Sequence, residues 1–187
     1  MIDLITEAHR FQSFCQRNAW EFCFIGGLAV QHWGEPRLTR DIDITVLTGF
    51  GAEEGFVTTI LKSYHPRGQD AKQFALINRV LLVQSDSGIG LDISLGALPF
   101  EQEMITRAVT VEFLPGIELR ICTPEDLIVM KAFAGRPLDW QDVASVIVRQ
   151  GKDNLDWNYI ESNVEPLAVL KEAPEIMEEL ARLRRVS

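Results

Sequence analysis

Residues 24–46 read FIGGLAVQHWGEPRLTRDIDITV, and the chain changes character three times within them. Phe22 to Ile25 is a short apolar run with aromatics, ended by Gly26-Gly27, which reads as a strand running into a glycine turn. Leu28 to Trp33 then reads as a brief helix, stopped by Gly34 and Pro36. From Asp41 to Leu47 the pattern alternates: a strand sets Asp41, Asp43 and Thr45 on one face and Ile42, Ile44 and Val46 on the other. The spacing predicts a strand, a turn, a helix and a second strand whose polar face is acidic.

Working outward, residues 2–17 place Ile5, Ala8, Phe11 and Cys15 at three- and four-residue steps, the stripe of an amphipathic helix that packs on a sheet. Phe56 to Ser63 reads as helical. Phe74 to Gln84 is rich in β-formers, Ser85 to Gly90 is turn chemistry, and Leu91 to Leu95 alternates with Asp92 and Ser94 on one face, which predicts an antiparallel hairpin. Ala108 to Phe113 and Ile117 to Ile121, around Pro115-Gly116, predict another. From Thr123 the pattern turns helical. Thr123 can cap, Pro124 suits the first helical position, and Asp126 completes a capping-box spacing. Gly135 and Pro137 stop that helix, Asp139 can cap a second one through Gln150, and Asp156 to Ile160 and Leu167 to Arg185 supply more. The expected class is α+β: a mixed sheet flanked by helices over residues 1–122, then a small helical lobe over 123–187, with no flexible linker or internal repeat.

A domain of this length buries roughly 70% of the surface its unfolded chain exposes, so a real core is available. No apolar run approaches the ~20 residues needed to cross a bilayer, and the N-terminal MIDLITEAHRFQSF lacks the basic and apolar blocks of a signal peptide. The expectation is a cytoplasmic protein with no membrane partner. Cys15, Cys23 and Cys122 form no ligand pattern and read as buried small hydrophobes. The net charge of −9 provides no global positive field to gather nucleic acid. An RNA substrate would have to meet a local patch drawn from Arg37, Arg40, Lys62, Arg67, Lys72 and Arg79.

Carboxylates at i and i+2 on one strand point the same way with Cα atoms roughly 6.6 Å apart. Divalent ions shared by such acids polarise the attacking and leaving oxygens of a phosphoryl displacement, and Mg2+ prefers hard oxygen ligands. Asp92 offers a third acid on another strand. The alternative is a structural ion-pair network in which Arg37 or Arg40 neutralises the Asp41/Asp43 pair. An EF-hand is disfavoured, because D-I-D-I-T-V lacks its third acid and its glycine. Gly26-Gly27 either offers bare amides at a helix start to an anion or merely permits a tight turn. Lys131 lies within the apolar arc of Leu127, Met130 and Ala134, where it either snorkels to the rim or pairs with a triphosphate. Asp139 and Asp142 have an ordinary reading as helix-capping acids. His9, His32 and His65 show no ligand spacing, and no serine nucleophile elbow is present, which disfavours hydrolytic triads.

The segment at 24–46, with LDIS at 91–94, resembles the signature of the polymerase-β-type nucleotidyltransferase superfamily: a Gly-Gly or Gly-Ser turn, a short helix, Asp-x-Asp on a strand, and a third acid on a later strand. The arrangement R-x-T-x-D-I-D at 37–43, followed by TPEDLIVMKAFAGRPLDWQDV at 123–143, is most similar to the AbiEii/AbiGii-type toxin nucleotidyltransferases. The resemblance covers residues 22–47, 89–96 and 121–147. It implies a nucleotidyltransferase-type mixed sheet, with Gly26 and Gly27 holding a triphosphate and Thr39 and Arg40 beside them. Asp41 and Asp43 would bind two Mg2+ ions, with Mn2+ as a substitute. Asp92 would bind the catalytic ion and help to deprotonate the acceptor. Lys131 would contact phosphates, and Asp142 would be the last motif acid of the helical lobe. The partners so implied are an NTP, an acceptor hydroxyl on RNA, protein or a small molecule, and a cognate antitoxin. Gly27 stands where many relatives carry serine, which removes one phosphate donor. That departure and the acidic face of Glu175, Glu178, Glu179 and Leu180 motivate two alternatives between them and the composition: a non-catalytic binding protein on the same fold, and, given the net charge, an antibiotic nucleotidyltransferase.

Overall fold

Alternation at 41–47 and 91–95 does produce strands, and they lie side by side at the centre of a sheet. The computed structural model describes residues 1–186. Two units each enclose a core: Met1–Leu28 with Leu38–Cys122, and Ala29–Arg37 with Thr123 onward. The first contains α1 (Ile2–Arg17), β1 (Phe22–Phe24) and the opening of α2 (Gly26–Trp33). Then come β2 (Asp41–Leu47), α3 (Glu53–Ile60), β3 (His65–Pro66), α4 (Ala71–Asn78), β4 (Val80–Gln84), β5 (Gly90–Gly96), α5 (Pro99–Arg107), β6 (Val109–Leu114) and β7 (Ile117–Ile121).

The strands form one seven-stranded sheet in the order β3-β4-β5-β2-β1-β7-β6. It is mixed: β2 runs parallel to β5 and β1 parallel to β7, whereas the other pairs are antiparallel. Ile42, Ile44 and Val46 of β2, with Leu91, Ile93 and Leu95 of β5 and Leu81 and Val83 of β4, are buried, so the apolar sides of three neighbouring strands meet in one core. The stripe of α1 is buried as its spacing predicts. Gln12 of α1 is stitched to β7: its Nε2 donates to the Glu118 carbonyl at 2.8 Å, and its Oε1 accepts from the Arg120 amide at 2.9 Å. A buried amide satisfied at both ends costs little and fixes the position of the helix.

Thr45 has no such compensation. It is fully buried, and among the described residues its Oγ1 has no hydrogen-bond partner. Thr45→Val keeps the shape and removes the orphaned hydroxyl, so it should raise stability by about 1 kcal/mol in urea unfolding. A lower stability would mean that the hydroxyl is satisfied in solution.

Three local expectations need correction. Phe74 to Asn78 is helical, not strand: Ala71, Lys72, Gln73, Ala75 and Leu76 are good helix formers, and α4 ends only where Arg79 takes a left-handed conformation (φ 55°). The strand of that hairpin starts at Val80, where β4 pairs with β5. Residues 99–107, assigned no element from sequence, form α5 behind Pro99. The C-terminal helices also divide differently, as the second unit shows.

That unit holds the rest of α2 with α6 (Pro124–Ala134), α7 (Pro137–Gln150), α8 (Trp157–Leu170) and α9 (Glu175–Val186). Thr123 caps α6, its Oγ1 accepting from the Asp126 amide at 3.3 Å and donating to Asp126 Oδ2 at 2.6 Å. Helix α7 starts two residues before Asp139, at Pro137. Helix α8 continues past Pro166, whose missing N–H would have served the carbonyl of Ser162, an exposed residue. The break comes later, at 171–174, where Glu172 is left-handed (φ 55°) and Pro174 disfavours helix at the residue before it. Cys15, Cys23 and Cys122 are all buried, and burial pushes the Cys15 thiol up to about 12. Among the described residues no helix is long and apolar enough to cross a membrane.

Candidate active site

The register of β2 on β5 decides which acids meet. Asp43 is opposite Asp92, and Asp41 is opposite Gly90. Residues opposite one another on paired strands share a face, so Asp41, Asp43 and Asp92 stand together on the polar side of the sheet, with the buried isoleucines turned the other way. The Asp41 and Asp92 side chains are 48% and 37% exposed, which leaves them open to solutes.

The glycines are explained by the crowding around these acids. Gly26 leaves β1 with φ +57°, and a Cβ there would overlap the Asp43 carboxylate. A Cβ on Gly27 would overlap the Thr39 hydroxyl, while the Gly27 amide donates to Asp43 Oδ2 at 3.3 Å. Thr39 Oγ1 in turn donates to the Asp41 carbonyl at 3.1 Å. Of the two readings that the sequence leaves open for Gly26-Gly27, close packing is thus visible here: the turn is pressed onto Asp43. Gly26→Ala combines a left-handed backbone with that overlap, so a stability loss of about 2 kcal/mol or more is expected in thermal unfolding, with Asp43 displaced. An unchanged melting curve would contradict this packing account. Gly90 plays the same part on β5, where a Cβ would overlap the Asp41 carboxylate and lie 3.0 Å from Arg67 Nη1.

Arg67, which the sequence offers only as one member of a basic patch, is the residue that meets these acids. Its Nη2 bonds Asp92 Oδ1, and its Nη1 lies 3.5 Å from Asp41 Oδ1. Of the arginines that the sequence offers for the aspartate pair, Arg40 is exposed, and Arg37 bonds Asp142 within its own unit. No local pattern announces Arg67, because it reaches the acids only through the sheet order that puts β3 beyond β4. As donors, the three carboxylates are the hard oxygens that Mg2+ takes. As they stand, no group of three or more ligating side chains among the described residues is arranged to hold a metal, and two of the three acids are held by Arg67. The three side chains are thus of the donor type that the ion takes, while the positive charge their arrangement meets is the Arg67 guanidinium.

The remaining expected site residues lie in the second unit and form a buried ion network. Lys131 Nζ lies 2.9 Å from Asp139 Oδ1 and 2.8 Å from Asp142 Oδ2, with side chains only 11%, 2% and 4% exposed. Arg37 grips Asp142 with two parallel bonds, Nε to Oδ1 at 2.8 Å and Nη2 to Oδ2 at 2.9 Å, and Arg136 Nε reaches Asp139 Oδ2 at 2.6 Å. Burial alone would raise both carboxyls. Hydrogen bonds and charge from Arg37 and Lys131 at Asp142, and from Arg136 and Lys131 at Asp139, outweigh it and hold both below the usual carboxylate range. Lys131 thus has two carboxylates of its own unit as partners. Asp139 also receives the Arg136 amide at 3.3 Å, a capping role three residues into its helix turn.

A family described as "Nucleotidyltransferase of unknown function (DUF6036)" matches residues 1–179. None of the curated proteins matches the sequence. Among solved structures, the chain is similar to an antigenic nucleotidyltransferase-like protein from Paracoccidioides brasiliensis, at 14% identity over 95% of this chain and 92% of that one, with a TM-score of 0.54. It is likewise similar to the antibiotic-resistance factor ANT(2'')-Ia, at 17% identity over 93% of this chain and 96% of that one, also with a TM-score of 0.54. At such identities the likeness is one of fold.

Proposed function

Because the chain belongs to this family of nucleotidyltransferases, we propose that it moves a nucleoside monophosphate from an NTP to an acceptor hydroxyl, with Asp41, Asp43 and Asp92 holding Mg2+ or, in its place, Mn2+. The observation that carries this reading is the β2/β5 register, which sets Asp43 opposite Asp92 with Asp41 two residues away on the same strand. A bound divalent ion supplies charge neutralisation at the transferring phosphoryl group.

The chain's own residues do the positioning. Asp43 is braced by the Gly26-Gly27 turn and the Gly27 amide, so its carboxylate enters the reaction already oriented. The acceptor oxygen attacks the α-phosphorus in line, the bond from that phosphorus to the β-phosphate bridge breaks, and pyrophosphate leaves with the electron pair. Asp92 takes the acceptor proton. Thr39 and Arg40, flanking the acids, are proposed to meet the nucleotide, and the family resemblance proposes Lys131 and Asp142 as nucleotide-binding residues as well.

The R-x-T-x-D-I-D arrangement and the 123–143 motif favour a toxin whose partner is a cognate antitoxin. A second reading, an antibiotic as acceptor, is supported by the net charge of −9, which suits a polycationic substrate, and by the fold shared with an antibiotic-resistance factor. Incubation with each α-labelled NTP and Mg2+, presenting total RNA, candidate proteins and aminoglycosides in turn, tests these readings together. Label moving to RNA or protein supports the first, and label on the antibiotic the second. No pyrophosphate release with any NTP and acceptor would leave only a non-catalytic binding protein on this fold.

A further inference from the structure

We propose that Arg67 is a built-in counter-ion for Asp41 and Asp92, and that a divalent cation gains the site only by displacing it. The inference rests on the reading of these acids as metal ligands. It goes beyond that reading by assigning the metal-free enzyme a resident positive charge.

Two observations carry it. One guanidinium spans two strands, bonding the Oδ1 atoms of Asp92 on β5 and Asp41 on β2, so both acids already share one positive charge. The approach is also built in. The Arg67 amide donates to the Leu82 carbonyl of β4 at 3.1 Å, which anchors the stem, and Leu82 is opposite Asp92 in the β4/β5 register. Gly90 leaves the backbone bare where the guanidinium and the Asp41 carboxylate converge. Neighbouring carboxylates repel, and a planar fork with several donors satisfies two of them at once. A guanidinium held on these carboxylates and a divalent ion brought to them repel one another, so the two compete for the same negative charge.

The test is Mn2+ binding to the full-length, metal-stripped chain, read as free Mn2+ by electron paramagnetic resonance, for wild type, Arg67→Gln and Arg67→Lys. Arg67→Gln removes the charge and should bind Mn2+ about tenfold more tightly than wild type, since even one charge-assisted bond is worth that much. Arg67→Lys keeps the charge without the fork and should fall between them. A merely structural arginine predicts the opposite sign, because a damaged site binds metal more weakly. Equal or weaker binding by the variants overturns the proposal while leaving the metal reading standing. Absence of Mn2+ binding by all three chains overturns both. Should Arg67→Gln fail to fold, Arg67→Lys decides alone: tighter binding than wild type supports the competition, and equal or weaker binding overturns it.

Discussion

Asp43→Asn is expected to lower nucleotide transfer about a thousandfold or more while leaving the protein folded. The side chain keeps its size, and an amide oxygen can still accept the Gly27 N–H that reaches Oδ2 at 3.3 Å, so the packing against the turn is kept. What is lost is one negative charge at the centre of the acid face, flanked by Asp41 along β2 and by Asp92 across the register. An ion that contributes several kcal/mol to the transition state needs that charge, and each 1.36 kcal/mol is about tenfold in rate. The check is pyrophosphate release at saturating NTP and Mg2+, alongside a thermal melt. Undiminished release from a folded Asp43→Asn protein would remove these acids from the chemistry. Loss of release together with collapse of the melt would point to packing instead.

The second large effect belongs to the helical unit. Lys131→Met leaves Asp139 and Asp142, both nearly inaccessible, without the cation they share. Removing one partner of a buried ion pair costs about 3–5 kcal/mol, because the charge left behind is neither hydrated nor matched. Arg37 and Arg136 remain and temper the loss at each end. For a chain of this length that corresponds to a fall of roughly 10 °C in melting temperature. The pH dependence has a definite sign. Both carboxyls are held below their ordinary range, so the network's contribution is fully present above the unfolded value and is lost as pH falls through the lowered folded values. The gap between wild type and Lys131→Met should therefore be full at neutral pH and narrow in strong acid. An unchanged melt with a raised KM for NTP would show that the lysine serves the nucleotide rather than the core.

What the chain's sequence determined by itself is local and periodic. A repeat of two put Asp41 and Asp43 on one side of a strand and Ile42 and Ile44 on the other. A repeat near 3.6 made residues 2–17 a helix, and Thr123 with Asp126 started α6 where the cap chemistry said it would. These follow from backbone geometry within a few residues of each position. Phe74 to Asn78 marks the edge of that reach, since apolar residues without a clear period suit either state and neighbouring helix formers tipped the balance. Tertiary structure alone decided the partners. Arg67 meets Asp92 across 25 residues and Arg37 meets Asp142 across 105, because sheet order and helix packing, not spacing along the chain, bring them within reach. The Gly-Gly turn shows both sides: its place between strand and helix was readable from sequence, whereas its need to be bare depends on an Asp43 carboxylate delivered by another strand.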